Sequence, residues 1–334
     1  MRIVWIILVV LLGVGFTACS SAKRVEIAQK SLPSWYENPP RSSGSELYAV
    51  GEGRSKKEAI NNALSLLAST LSVSISSTFN AKTVVKEGRV NSSDATYINQ
   101  TQSEVKKIRI TNYELLNAEQ MGFKRFAVLI GANKKSLFRG LKDALDQQFM
   151  LIYSQEKAVK NENPLRQLAF YHNSLESLKD MQNRLSVMKV LNKSFDTTSY
   201  VSKRNHLQQE YNLLLNKITF FVNAEPSSQR FIPALTSGIT KQKFQISKRR
   251  DAYHFSVFLN AKIVKVRAYG FSIARMEISF TTKDYKNRVI ATNLIHIDGQ
   301  SSQGYSVALQ DLVKKLNAEI EKEGIFKILN LNIY

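Results

Sequence analysis

The amino-acid sequence predicts an α+β protein with two α+β domains, each an antiparallel sheet with helices on one face. A strand, a glycine turn and an amphipathic helix follow one another from residue 46. Apolar residues then recur every three or four positions from Leu137 to Met188, which is the period of an α-helix. Alternating apolar and polar residues fill 253–298, a pattern typical of strands. We therefore expect an α-helical hairpin arm between the domains and a cleaved signal peptide before them.

Residues 1–18 have the plan of a secretory signal peptide. Arg2 supplies a positive start, Ile3–Leu12 is an apolar run, and Thr17 and Ala18 are small residues suited to cleavage. A retained transmembrane anchor is the alternative interpretation. As a helix, however, Ile3–Ala18 would rise only about 24 Å, which is less than the roughly 30 Å of a bilayer's hydrocarbon core. We therefore favour cleavage.

Cys19 is the only cysteine in the 334 residues, and it directly follows this segment. The stretch Phe16-Thr17-Ala18-Cys19 resembles the lipobox of bacterial lipoproteins, with Phe16 where Leu or Val is usual. The resemblance implies cleavage between Ala18 and Cys19, a diacylglyceryl group on the Cys19 sulfur and acylation of the new amino group. An ordinary signal peptide followed by a chance cysteine is the alternative. Two or more acyl chains anchor a protein stably in a membrane. By the same resemblance, the absence of the Asp that retains enterobacterial lipoproteins in the inner membrane, at the position of Ser20, favours the outer membrane.

The charge of the chain limits its partners. The net charge is +20, and losing Arg2 with the signal peptide lowers it by one, to about +19. Such a charge in a cytosolic protein would indicate nucleic acid, but export excludes that partner. The anionic groups of a bacterial envelope are lipopolysaccharide, phospholipid headgroups and peptidoglycan carboxylates. A solvated surface is the simpler interpretation, because the basic residues are scattered in short clusters: Lys56-Lys57, Lys106-Lys107, Lys134-Lys135, Lys248-Arg249-Arg250 and Lys314-Lys315.

Residues 19–45 are predicted to form a lipidated tether. They contain Pro33, Pro39, Pro40 and the stretch RSSGS, and they show no sustained period. Trp35 and Tyr36 in this segment could stack on a sugar. We favour the alternative, in which the two aromatic residues fold back onto the core of the first domain.

Residues 46–135 are predicted to form the N-terminal α+β domain, in the order β-α-β-β-β. Leu47–Val50 reads as a strand, and Gly51-Glu52-Gly53 as a turn. Ser55 and Glu58 have the spacing of a capping box, and the helix that follows has an apolar stripe ending at Leu71. Further strands are predicted at Val73–Phe79, Val105–Tyr113 and Phe126–Ile130, with a long hairpin over Asn80–Gln102. A dinucleotide motif at the glycines is rejected, because Lys56 stands where the third glycine would be.

Three stretches of this region resemble a known family. They are Pro33-x-Trp35, then Tyr48–Gly53, then a helix with Ala59 and Ala63 that runs into Leu71–Ser77. Together they resemble the Lpp-twenty type outer-membrane lipoproteins of Helicobacter and Campylobacter, to which the flagellar protein FlgP looks related. The resemblance covers residues 33–135 and the lipobox. It implies a small α+β module on an envelope lipoprotein with no known catalysis, and a possible flagellar, surface or adhesion role.

The remaining two thirds of the chain divide into a helical and a mixed segment. Residues 136–217 are predicted to form the helical arm, with Asn163-Pro164 starting its second helix and a third helix over Tyr200–Leu215. We interpret the apolar stripes of these helices as the core of the arm rather than as a groove for a partner. Residues 218–334 are predicted to form the C-terminal α+β domain, with long strands at Tyr253–Ala268, Phe271–Thr282 and Val289–Asp298, and a last helix over Val307–Glu321.

Motifs that would indicate catalysis are missing from the sequence. The four histidines are His172, His206, His254 and His296, and none has a second His or a Cys at metal-ligand spacing. The sequence also contains no P-loop, HExxH or GxSxG motif. We therefore expect no metal and no cofactor. The sequence favours a non-catalytic outer-membrane lipoprotein, anchored by acylated Cys19, that acts as a structural or protein-interaction component of the cell envelope. A binding module for lipopolysaccharide or peptidoglycan is the alternative, and an envelope hydrolase built from scattered residues is less favoured.

Overall fold

The computed structural model describes residues 32–87, 110 and 112–333. The predicted signal peptide, Cys19 and the first part of the tether lie outside these residues. So do the predicted hairpin beyond residue 87 and most of the predicted strand Val105–Tyr113. In the described part of the chain, no helix is both long enough and apolar enough to cross a membrane.

The first sheet has three antiparallel strands in the order β1-β3-β2: β1 (Glu46–Gly53), β2 (Glu114–Gly122) and β3 (Arg125–Asn133). The central strand β3 is buried from Ala127 to Ile130. Gly53 lies opposite Phe126, and Gly122 lies opposite Arg125. The C-terminal end of β1 and the tip of the β2–β3 hairpin are therefore at the same end of this sheet.

Helix α2 (Lys56–Glu87) packs across one face of the first sheet. The predicted cap is present: the Ser55 hydroxyl accepts a hydrogen bond from the Glu58 N–H at 3.2 Å. The Glu58 carboxylate in turn accepts one from the Arg54 N–H at 2.8 Å. The helix passes close to β1 at Gly51, where a Cβ atom would lie 2.2 Å from the carbonyl oxygen of Ala59. Gly51 is therefore required by the close approach of helix and strand.

The predicted strand at Val73–Phe79 is wrong, because α2 continues through these residues to Glu87. The place beside β3 is taken instead by β2, a strand that the sequence analysis did not foresee. A strand needs a neighbour for its N–H and C=O groups, whereas a helix already under way satisfies them within itself. The alternation of Ser with Val and Ile over 72–76 therefore did not decide the conformation.

Four helices follow the first sheet: α3 (Lys134–Val159), α4 (Pro164–Ser177), α5 (Met181–Leu191) and α6 (Thr198–Lys217). Asn163 caps α4, since its side chain accepts hydrogen bonds from the N–H groups of Leu165 and Arg166 at 3.0 and 3.1 Å. The single helix expected through Met188 is interrupted at residues 178–180. Leu137 and Val187 are buried with the first sheet, and the other buried residues of these helices join the core of the second sheet.

The second sheet has the strand order β5-β4-β6-β7-β8. The three long strands β6, β7 and β8 are antiparallel, and β4 runs parallel to both β5 and β6. The bounds are β4 (Thr219–Ala224), β5 (Gln245–Ile246), β6 (His254–Ala268), β7 (Phe271–Lys283) and β8 (Val289–Ser301), with helices α7 (Ile232–Lys241), α8 (Tyr305–Glu323) and α9 (Ile325–Ile328) and a 3₁₀ turn at Pro226–Phe231.

One face of the second sheet is buried against α7 and α8. Alternate side chains of β6 and β7, among them Leu259 and Ile278, point into this core, and Leu312 and Leu316 of α8 meet them there. The intervening side chains face solvent. The predicted α+β class, with antiparallel strands and helices packed on a sheet face, is therefore confirmed.

Candidate functional site

The residues predicted for lipidation and cleavage, Cys19 and Ala18, lie outside the described residues. The first described residue is Leu32, which is thirteen positions after Cys19. The structure therefore describes the place where the segment that follows Cys19 meets the folded body. We call residues 33–45 the junction.

The first half of the junction is fixed to the first sheet by Tyr36. The short helix α1 (Ser34–Glu37) lies against β3. The Tyr36 hydroxyl donates a hydrogen bond to the Glu52 carboxylate. Arg125 completes the contact, because its Nε lies 3.0 Å from the other Glu52 oxygen and its NH2 donates to the Tyr36 hydroxyl at 3.2 Å. Trp35 and Tyr36 are half-buried, and Tyr36 is bonded to the first sheet, but neither ring is among the described residues that pack on the hydrophobic core of that sheet.

The charges of this contact reinforce one another. Hydrogen bonds from Tyr36 and then from Arg125 lower the pKa of Glu52. The hydrogen bond to Glu52 raises the pKa of Tyr36. At neutral pH the contact therefore consists of a carboxylate, a neutral phenol and a guanidinium, and its exposure to solvent weakens the ion pair.

The second half of the junction runs to the opposite end of the sheet. There the Ser42 hydroxyl accepts a hydrogen bond from the Tyr48 N–H at 3.1 Å. The carbonyl oxygen of Ser43 accepts one from Lys134 Nζ at 2.7 Å, and the Ser43 N–H donates to Glu46 at 2.8 Å. The last part of the predicted tether therefore follows the sheet and is bonded to it near both ends.

The solvent-exposed face of the second sheet carries an ordered set of charges. Lys262, Glu277 and His296 stand side by side on β6, β7 and β8. In the next row, Arg275 Nε lies 3.8 Å from an Asp298 oxygen. Neighbouring side chains on opposite strands interact in this way across a sheet.

Exposed apolar side chains flank these charges. Val264 is 51% exposed and Leu294 is 50% exposed. Leu294 is on β8, at the edge of the sheet, and on the same face as the charged rows. This face of the sheet therefore presents both charged and apolar side chains to solvent.

The histidines do not come together. His172 lies on α4, His206 on α6, His254 on β6 and His296 on β8. His254 is buried, and this burial, together with Arg250, lowers its pKa. Among the described residues, no group of three potential metal-ligand side chains comes close enough to hold an ion.

A buried polar cluster that the sequence did not reveal lies between three helices. Glu156 of α3 is only 5% exposed. It accepts a hydrogen bond from the Tyr171 hydroxyl of α4 at 2.9 Å, and His206 Nε2 of α6 lies 3.3 Å from the same oxygen. Burial and the adjacent Glu156 raise the pKa of Tyr171. Spacing along the chain gave no sign of this cluster, because its members are 15 and 35 residues apart.

The cavities beside this second sheet are open depressions. One of about 520 Å³ between α7 and α8 is lined by Ser237, Lys241, Asn317 and Glu321, among others. It holds neither a histidine nor a second carboxylate, and its Lys241 Nζ donates a hydrogen bond to Glu321 at 2.8 Å. The Glu156 cluster reaches the surface at His206, whose side chain is 44% exposed.

The first sheet and the junction carry the family resemblance. Residues 33–133 match the LPP20 lipoprotein family. The match spans the junction, all of β1, α2 and β2, and β3 to its end. The resemblance found in the sequence over residues 33–135 is therefore confirmed. It covers less than a third of the chain and supports an envelope lipoprotein.

Two solved structures are similar to parts of this chain. One is the secreted protein HP1454 from Helicobacter pylori, with 14% identity and a TM-score of 0.47, covering 83% of this chain and 97% of its own. The other is a minor lipoprotein from Acinetobacter baumannii, with 11% identity and a TM-score of 0.29, covering 33% of this chain and 91% of its own. A search of curated proteins gives no match.

Proposed function

We propose that this protein is a non-catalytic lipoprotein of the outer membrane, anchored by acyl chains on Cys19 and acting through protein contacts. The observation that carries the proposal is the order of two features along the chain. The lipobox ends at Cys19, and the match to the LPP20 lipoprotein family begins at residue 33. The anchor is thus directly followed by the part of the chain that resembles other lipoproteins.

Covalent geometry limits how far the folded body lies from the membrane. Pro33 is fourteen positions after Cys19, and a fully extended chain over that many residues reaches about 50 Å at most. The junction then bonds to the first sheet through Tyr36, Glu52 and Arg125. The anchor therefore keeps the first sheet near the bilayer surface.

The test of the anchor is mass spectrometry of the mature N-terminal peptide, combined with membrane fractionation. We expect an acylated peptide that begins at Cys19 and a protein that stays with the outer membrane. The Cys19→Ser variant should lose the acyl groups and leave the outer-membrane fraction. A wild-type peptide with a free thiol, or with an N-terminus elsewhere, would refute the proposal.

The exposed face of the second sheet is the best candidate for the protein contact. A photo-crosslinker at Leu294, beside the charged rows, should give discrete products in intact envelopes, and the charge reversal Arg275→Glu should remove them. Leu213 of α6, which is 49% exposed, provides the matched control. Equal labelling from Leu213 and Leu294 would argue against a specific interface on the sheet.

Binding to an anionic envelope polymer is the second candidate function, and the net charge of +20 favours it. The basic clusters Lys56-Lys57 and Lys248-Arg249-Arg250 are exposed. Salt-sensitive retention of the protein on lipopolysaccharide or peptidoglycan would support this function, since screening weakens such binding. Retention that does not respond to salt would oppose it.

A further inference from the structure

We propose that the tip of the β2–β3 hairpin, formed by Phe123 and Lys124, contacts the surface of an anionic bilayer. This inference rests on the proposed function, because the anchor at Cys19 determines which end of the first sheet is close to the membrane. The contact itself is a property of the folded domain and does not need the acyl chains.

The tip presents an apolar side chain to solvent. Phe123 is 90% exposed, and Lys124 Nζ lies 5.4 Å from the centre of its ring. Lys124 has a φ of 52°, in the left-handed region that costs a residue with a side chain about 1 kcal/mol or more. The tip therefore keeps a phenylalanine in water and a lysine in a strained turn, and neither contributes to the core.

Basic side chains lie at the same end of the first sheet as Phe123. The β1–α2 turn is at the same end of the sheet, because Gly53 lies opposite Phe126. This turn carries Arg54, Lys56 and Lys57, all of them exposed. In the described part of the chain, neither these three side chains nor that of Lys124 forms an ion pair. Phe123 is thus placed among cations that are available to an anionic surface.

The anchor segment reaches the domain at this same end. The Tyr36 hydroxyl contacts Arg125, which is two residues from Phe123, and the Tyr36 N–H donates to the carbonyl oxygen of Pro33 at 2.9 Å. The chain from Cys19 therefore arrives beside the tip and runs away from it only after Tyr36. The chain between Cys19 and Pro33 reaches about 50 Å or less, so a lipid-anchored Cys19 allows the tip to touch the bilayer.

A bilayer fits this surface better than a soluble anion does. Aromatic side chains favour the membrane interface, and lysine or arginine near anionic lipids adds to the attraction. A convex hairpin tip offers no concave site that could enclose a free phosphate. The partner is therefore a membrane with phosphatidylglycerol-type headgroups.

The experiment uses the mature chain, residues 19–334, with Cys19→Ser, which has no acyl groups and keeps every residue that the structure describes. This chain has no cysteine, so Phe123→Cys introduces a single site for an environment-sensitive fluorophore. With vesicles of phosphatidylethanolamine and phosphatidylglycerol, we expect a blue shift at position 123 and quenching by lipids that carry a shallow spin label. Vesicles of phosphatidylcholine alone should give little shift.

Tyr269 provides the matched control, because it is 100% exposed at the tip of the β6–β7 hairpin. A fluorophore at Tyr269→Cys should show no shift. In sedimentation with the anionic vesicles, Phe123→Ala should lower the partition coefficient about tenfold, and Tyr269→Ala should leave it unchanged. Reversing Lys56, Lys57 and Lys124 to Glu should lower it at least as much, because binding depends on these charges.

Two outcomes would overturn the inference: no shift at position 123, or equal shifts at positions 123 and 269. Neither result would bear on the proposed acylation of Cys19, because the vesicle assay uses a chain without acyl groups. Conversely, an unacylated native protein would refute the proposed function, but a blue shift at position 123 with anionic vesicles would still support the membrane contact of the tip.

Discussion

Replacing Tyr171 by Phe should destabilise the helical region by about 2 kcal/mol at neutral pH. The substitution removes the hydroxyl that donates to Glu156 at 2.9 Å and leaves the ring in place. A hydrogen bond to a charged group contributes about 1.5–3 kcal/mol, and Glu156 is only 5% exposed, so water cannot replace the lost donor. His206, at 3.3 Å, and Lys160, at 3.9 Å, remain near the carboxylate and keep the loss near the lower part of that range.

Hydrogen exchange measured by mass spectrometry suits this prediction, because a chain with two sheets need not unfold in one step. A loss of about 2 kcal/mol corresponds to roughly 30-fold faster exchange in the peptides of α3, α4 and α6. Tyr211→Phe is the control. This residue is half-buried on α6, and the centre of its ring lies 6.0 Å from that of His172 in a tilted arrangement. If both variants exchange equally fast, the Glu156 hydrogen bond does not stabilise the helices.

The same pair predicts a pH dependence. Burial, followed by the hydrogen bond to Glu156, raises the pKa of Tyr171 above its usual value. Above about pH 10 an unfolded tyrosine loses its proton while the folded one keeps it, so the stability due to Tyr171 falls as pH rises. The difference between wild type and Tyr171→Phe should therefore shrink above pH 10, by at most about 1.4 kcal/mol per pH unit. A difference that stays constant to pH 12 would contradict the assigned cause.

Two further predictions concern the sheets. Gly51→Ala should destabilise the first domain by about 2 kcal/mol or more, because the new Cβ would lie 2.2 Å from the Ala59 carbonyl oxygen and overpacking has costs of this size. Thermal unfolding would measure this, with Gly44→Ala, which meets nothing within 4 Å, as the control; equal melting temperatures would refute the packing. Asp284→Asn should cost about 2 kcal/mol at neutral pH. Burial opposes the ionisation of Asp284, but hydrogen bonds from Arg288 and the Lys286 N–H outweigh it and lower its pKa. A lowered pKa stabilises the fold above about pH 4 and is lost as pH falls below it, so the two proteins should converge in acid unfolding experiments, and a gap that persists at pH 2 would contradict this.

Elements with a strong local pattern were predicted well. Asn163-Pro164 begins a helix as expected, since the Asn side chain and the proline ring both act within the first turn. The long strands of the second sheet also follow their alternation. In contrast, Val73–Phe79 also alternates but is helical. The helix that begins at Lys56 continues through this segment, because each added helical residue pairs its backbone groups within the helix, whereas a strand needs a neighbour.

The sequence by itself predicted the lipobox at Cys19, the resemblance to a lipoprotein family over residues 33–135 and the α+β class, because each depends on neighbouring residues or on a short period. Only the tertiary structure brought Tyr171 and His206 to one oxygen of Glu156, and only the register of the first sheet placed the β2–β3 tip at the same end as the basic β1–α2 turn. These contacts join residues far apart in the chain, and the packing of helices and strands fixes them rather than any local preference.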